Sequence, residues 1–190
     1  IGVDTLREDF NSPTTDLGDW KRLKCNRPTR SQATAITDKE WDDAQVEKGI
    51  PAGEPVIAGF DVGWKWDTTV IQPLWIGKEY RLLGAPQVLT PPRDGTSLHP
   101  DEIKHAFFRV VEANPIETLV MDMHRAEDIA AWVEDELGIT VIDRAQSIPA
   151  LVADYDAFMD GLRNGTLKHT GDPEQRRQVR QERSRPLVEA

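Results

Sequence analysis

Apolar and polar positions change their spacing along the chain, and each change marks a different kind of element. Residues 1–54 show no sustained period and are punctuated by turn clusters, Asn11-Ser12-Pro13 and Asn26-Arg27-Pro28-Thr29. Within them, Thr37-Asp38-Lys39-Glu40-Trp41 predicts a short helix, with Thr37 as N-cap and Glu40 at the capping-box position. The segment reads as an arm packed on the remainder and anchored by Trp20 and Trp41, with Gly49 to Pro55 as a linker. From Val56 the pattern tightens. Val56-Ile57-Ala58-Gly59-Phe60-Asp61 is a short apolar run, the signature of a strand buried on both faces. Thr69 to Ile76 predicts a second strand, Gly77-Lys78-Glu79 a turn, and Tyr80 to Leu83 a third strand. Such short connections make the three antiparallel. Pro73 has no N–H to give a ladder, so a bulge or an edge position is expected there.

The second half alternates helical and extended periods. Pro100 can open a helix whose stripe is Ile103, Phe107, Val110 and Val111. Thr118 to Asp122 is a fourth strand. Ile129, Ala130, Val133 and Leu137 line the next helix, which Gly138 can end. Ile139 to Ile142 is a fifth strand. Ser147 then caps a helix carrying Leu151, Val152, Tyr155, Phe158, Met159 and Leu162 on one face. The order is β-β-β-α-β-α-β-α, an antiparallel meander followed by units that must run parallel. It predicts an α/β domain over residues 55–190, with a mixed five-stranded sheet flanked by helices. That order resembles the ribonuclease H-like fold, in which the first and fourth strands lie side by side.

A chain of 190 residues, 38% hydrophobic and 29% charged, fits one globular domain with an arm and excludes a disordered chain. No apolar run reaches the length of a membrane span, and no basic and apolar leader opens the sequence. Because it starts at Ile1, the natural N-terminus is expected upstream. The single cysteine, Cys25, cannot form an internal disulfide, which fits a reducing cytoplasm. The net charge of −10 argues against a protein that merely coats nucleic acid, yet the charge is uneven. Lys21 to Arg30 carries Lys21, Arg22, Lys24, Arg27 and Arg30 with no acid. Arg176, Arg177, Arg180, Arg183 and Arg185 are interrupted only by Glu182. These clusters are either solvated faces or phosphate contacts, and Arg176, Arg177 and Arg180 are the candidate DNA-binding residues.

Asp61 and Asp122 each follow an apolar run directly. An aspartate at a strand end is often only a turn or cap residue. If the first and fourth strands are parallel neighbours, however, both carboxylates emerge at the one edge where α/β sheets place their sites. Like charges so close repel unless a cation holds them together. Hard carboxylate oxygens suit Mg²⁺ or Mn²⁺, and two such ions can drive phosphodiester hydrolysis. Asp67 can approach the same place across the loop Val62 to Trp66 but fits loop orientation better. His124, a lone histidine, reads as a surface or supporting residue.

Ile57-Ala58-Gly59-Phe60-Asp61-Val62-Gly63 followed by Asp67-Thr68-Thr69 resembles the first nuclease motif of phage terminase large subunits. Thr118 to Asp122 is similar to their second acidic strand. Gly165 to Glu174 is similar to a segment they carry after the helices, and Ala35 to Asp42 to their stretch leading into the nuclease domain. The resemblance covers about Ala35 to Val179. It implies a metal-dependent endonuclease that cuts concatemeric viral double-stranded DNA in the host cytoplasm, using Asp61 and Asp122 as catalytic and metal-binding residues. It also implies partners: a small terminase subunit, the portal, and the ATPase domain of the same large subunit. Two departures stand out. There is no Gly-x-x-x-x-Gly-Lys-Ser/Thr loop for the ATPase. The family's third acid, in an Ile-Asp-Ala-like context on a late helix, is also missing before Glu189-Ala190. The expectation is a chain that ends too early to include it, or another acid, such as Glu189, in its place.

Two other classes share parts of this pattern. Sugar kinases and other actin-like phosphotransferases also place Asp-x-Gly after a first strand, but need a second glycine-rich loop that Met123-His124-Arg125 does not provide. A ribonuclease H-like domain that only docks partners is the non-enzymatic alternative.

Overall fold

In the computed structural model, the described residues are Phe10 and 36–181, apart from Arg93, Arg125, Ala145 and Gln146, with the side chains of Arg180 and Gln181 also outside the description. Trp20, Cys25, the basic stretch Lys21 to Arg30, Arg183, Arg185 and Glu189 all lie outside the described residues.

The residues Asp38–Gln178 form one compact unit. Its sheet begins with β1 (Val56–Asp61), which alternates: Val56, Ala58 and Phe60 are buried, while Gly59 and Asp61 are exposed. The expected burial on both faces is therefore corrected to burial on one. β2 (Thr69–Ile76) runs antiparallel to β1, and β3 (Arg81–Leu83) antiparallel to the far end of β2. Two short strands add to the five expected. The first, β4 (Gln87–Leu89), pairs with the start of β2. β5 (Ile116–Met121) lies parallel to β1 and β6 (Thr140–Asp143) parallel to β5, so the first and fourth predicted strands are indeed neighbours. The second addition, β7 (Leu167–His169), pairs in parallel with β3. The main order is β6-β5-β1-β2-β3-β7.

Pro73 pairs regularly with Ala58 on the inner side of β2, without a bulge, and on the outer side it occupies a local edge position, as expected. The outer side of β2 is shared between β4 at Thr69 to Ile71 and β3 at Leu74 to Ile76, and Pro73 falls in the gap. There only its carbonyl is needed, accepting from the Gly84 N–H at 3.0 Å.

One face of the sheet is closed by α2 (Pro100–Ala113) and α3 (Glu127–Leu137). Ile103, Phe107 and Val110 of α2 and Ile129, Ala130 and Val133 of α3 meet Val56, Ala58, Phe60, Leu119 and Met121 in one core. Phe107 is fully buried, its ring 5.3 Å from that of Phe60. Gly138 ends α3 in the left-handed region at φ 65°, a conformation that costs a residue with a Cβ.

At the β7 end of the sheet lie α1 (Asp38–Asp43) and α4 (Ile148–Asn164). Ser147 caps α4, its hydroxyl accepting from the Ala150 N–H. The predicted apolar face of α4 is only half used. Met159 and Leu162 are buried, whereas Leu151, Val152 and Tyr155 are exposed, because the first turns of α4 run beside the open sheet face and not onto the core. α5 (Pro173–Gln181) starts where the Asp172 carboxylate accepts from the N–H groups of Glu174 and Gln175. Its Gln175 side chain donates to Gln72 Oε1 at 2.7 Å and to the Gly84 carbonyl at 3.0 Å, tying the start of the helix to β2.

Candidate functional site

Phe60 and Met121 are the last residues paired between β1 and β5. Asp61 and Asp122 are the next residues in step on two parallel neighbours. Phe60 and Met121 point into the core, so alternation sends both aspartates to the opposite, open face. They line one groove of about 300 Å³, whose floor is Gly59, Val70, Gln72 and Val120 and whose far wall is Arg144, Leu151 and Asp154. The strand-end geometry inferred from the sequence is present.

The backbone around both acids is held from several sides. Asp122 Oδ1 accepts from the His124 N–H at 2.9 Å, so His124 serves through its main chain. The Met123 N–H donates to Asp143 Oδ1 at 3.2 Å, and the Arg144 N–H to the Met121 carbonyl at 2.7 Å, joining the exits of β5 and β6. After Asp61, the buried Thr69 hydroxyl accepts from the Gly63 N–H at 3.1 Å and donates to the Gly63 carbonyl at 3.2 Å. The Leu98 N–H donates to the Trp64 carbonyl at 2.7 Å. A Cβ on Gly63 would run into the Asp67 carbonyl, so glycine is what this tight return requires. The loop Val62 to Asp67 lines a second cavity of about 600 Å³.

Asp61 carries the electrostatic cost of this arrangement. Desolvation by its surroundings pushes its carboxyl above the usual aspartate range, the Val62 backbone hydrogen bond opposes that, and the charges of Asp67 and Asp122 add to the rise. A cation at this edge would reverse the balance. Two hard carboxylates suit Mg²⁺ or Mn²⁺, which fill their remaining positions with water and phosphate oxygens. Among the described residues, no three His, Cys, Asp or Glu side chains gather closely enough to hold an ion. The third carboxylate of the groove, Asp154, is instead paired with Arg144 at 2.9 Å.

No protein-family model and no curated protein matches the sequence. Solved structures do. The large terminase of a thermophilic bacteriophage in complex with ADP superposes with a TM-score of 0.63 at 11% identity, over 94% of this chain and 44% of that one. The large terminase nuclease from thermophilic phage G20c with bound magnesium gives 0.57 at 13% identity, over 80% of this chain and 81% of the other. This chain has the fold of large-terminase nuclease domains. The human cytomegalovirus terminase nuclease domain, manganese-soaked and inhibitor-bound, gives 0.50 at 12% identity, over 72% and 77%. The terminase nuclease fold is ribonuclease H-like, as the strand order implied, and the chain spans less than half the length of the ADP-bound terminase it matches.

Within this terminase nuclease fold the predicted site residues separate. Asp61 and Asp122 come together; Arg176 and Arg177 are not among the groove's lining residues. Arg176 is paired with Asp42, and Arg177 Nε donates to Glu174 Oε2 at 2.8 Å. The side chain of Arg180 lies outside the described residues. Sequence reasoning missed Gln72, Arg144 and Asp154. Arg144 had a usable signal, since it follows the third parallel strand end at the same edge. Asp154 had none, because its position depends on how far α4 overhangs the sheet.

Proposed function

We propose that this chain is the metal-dependent DNA endonuclease part of a viral genome-packaging terminase, hydrolysing phosphodiester bonds in double-stranded DNA at the Asp61–Asp122 edge. The observation that carries the reading is the placement of these two acids, in step on adjacent parallel strands and facing one groove, in a fold shared with terminase nucleases. The magnesium-bound and manganese-soaked neighbours support Mg²⁺ or Mn²⁺ as the cofactor, and the two-metal arrangement is proposed from the chemistry of paired carboxylates at one edge. When bound, such ions supply activation of water and charge stabilisation at the leaving oxygen. The chain's own part is to hold and orient. Asp61 and Asp122 present carboxylate oxygens to the ions, the His124 N–H fixes one oxygen of Asp122, and Thr69 fixes the loop that follows Asp61.

By the same reading its partners are an ATPase domain, a small terminase subunit and the portal, and it acts in the host cytoplasm. Among the described residues, no helix is long and apolar enough to cross a membrane. One observation favours a docking domain without activity: the third groove carboxylate, Asp154, is paired with an arginine.

The test is incubation of the purified chain with supercoiled plasmid in Mg²⁺ or Mn²⁺. Relaxed and linear DNA are expected, and Asp61→Asn and Asp122→Asn should each abolish them without loss of fold. Intact plasmid under both ions, or a variant that cuts at the normal rate, contradicts the proposal.

A further inference from the structure

The groove beside Asp61 and Asp122 has a charge problem for an anionic substrate. Its described lining carries three carboxylates, Asp61, Asp122 and Asp154, and a single cation, Arg144. Arg144 is well placed to matter. Its main chain is fixed at the end of β5 by the bond to the Met121 carbonyl, one residue before Asp122. Its guanidinium meets Asp154 through two nitrogens, Nη2 to Oδ1 at 2.9 Å and Nε to Oδ2 at 3.4 Å. The two side chains are 50% and 57% exposed, and an ion pair so open to water adds little to stability. The fork that grips a carboxylate with two N–H groups grips a phosphate in the same way.

The floor of the groove gives a second, independent sign. Gly59 lies inside β1, where glycine weakens a strand, yet a Cβ there would meet nothing within 4 Å. Packing among the described residues does not require glycine at that position. A bare floor in a strand suits the close approach of another backbone.

We infer that Arg144 is the phosphate-gripping residue of this groove and that Asp154 is the counter-ion it holds until a nucleic-acid backbone displaces it. The inference rests on the nuclease reading and deepens it. Asp154 thus sets a threshold: a phosphate must outcompete a tethered carboxylate before the strand is seated over Gly59 beside the two acids.

The experiment measures binding of a short fluorescent DNA duplex by anisotropy across a salt series, in the Asp61→Asn background so that no strand is cut. Arg144→Ala should weaken binding roughly five- to tenfold and reduce the salt slope by about one unit, the share of one phosphate contact. Arg144→Lys should keep the slope and recover part of the affinity. Asp154→Asn should tighten binding several-fold, and that gain should vanish when Arg144→Ala is also present. A gain from Asp154→Asn that persists without Arg144 overturns the masking role. Arg144→Ala with unchanged affinity and slope overturns the inference while leaving the nuclease reading intact. Failure of the Asp61→Asn parent to bind DNA at all counts against the nuclease reading itself, and the inference falls with it.

Discussion

At the scale of single residues, two titratable groups behave in opposite ways. Asp61 is held in an unfavourable setting that a ligand can relieve. His169 is held in a favourable one that needs no ligand. It is fully buried and stacks on Trp41 with ring centroids 3.8 Å apart. Its Nε2 meets the Trp41 carbonyl at 2.7 Å while Nδ1 accepts from the Gly171 N–H at 3.0 Å, an arrangement that requires the neutral ring. Desolvation lowers its pKa, as do the charges of Arg176 and Lys168, against the Trp41 carbonyl and Asp42. A histidine whose folded pKa is depressed adds stability that is complete above the unfolded value of about 6.5. That stability is lost as pH falls from there through the lower folded pKa. Urea midpoints should therefore fall between pH 7.5 and acidic pH, and His169→Gln should remove that part of the dependence while weakening the domain at pH 7.5. An unchanged pH profile in the variant would place the acid sensitivity elsewhere.

At the scale of elements, the β1–β2 connection couples fold to site. Gly63 is closed by Thr69 on one side and by the Asp67 backbone on the other, directly after Asp61. Gly63→Ala should force this loop open, costing roughly 1–3 kcal/mol of stability and most of the cleavage activity. Activity and melting temperature at wild-type levels would show that the loop does not position Asp61. Much of this framework was legible in the sequence, and the physical reason is periodicity. Pro100, Gly138 and Ser147 bound their helices as written, since capping depends on a few adjacent residues. The adjacency of Asp61 and Asp122 was expected from the element order through its resemblance to the ribonuclease H-like fold, in which the first and fourth strands are neighbours. β4 and β7, each three residues long, were not distinguished from loop, and their pairing comes from the β2 and β3 strands they lean on. The exposure of Leu151 and Tyr155 was equally hidden, because a helical stripe states which residues share a face but not whether anything covers it.

At the scale of the whole molecule, the proposed nuclease has a net charge of −10, so under that proposal it must meet DNA through local positive charge. Arg176 and Arg177 are candidates beyond the groove, although each already has an acidic partner. If they contact phosphate, neutralising either should flatten the salt dependence of binding by about one unit of slope. Unchanged slopes would return them to the role of intramolecular ion pairs. The central claim concerns the metal. An ion that binds only the folded state at one hundred times its Kd adds about 2.7 kcal/mol, or roughly 5–10 °C in a domain of this size. Asp61→Asn removes both a desolvated charge and a repulsion, so without metal it should melt above wild type and respond little to added ion. The most direct measurement is thus the melting temperature of wild type, Asp61→Asn and Asp122→Asn across a Mn²⁺ titration. The account predicts a rise of several degrees in wild type alone. A wild-type melting temperature that ignores Mn²⁺ up to tens of millimolar, or variants that rise as much as wild type, would contradict it.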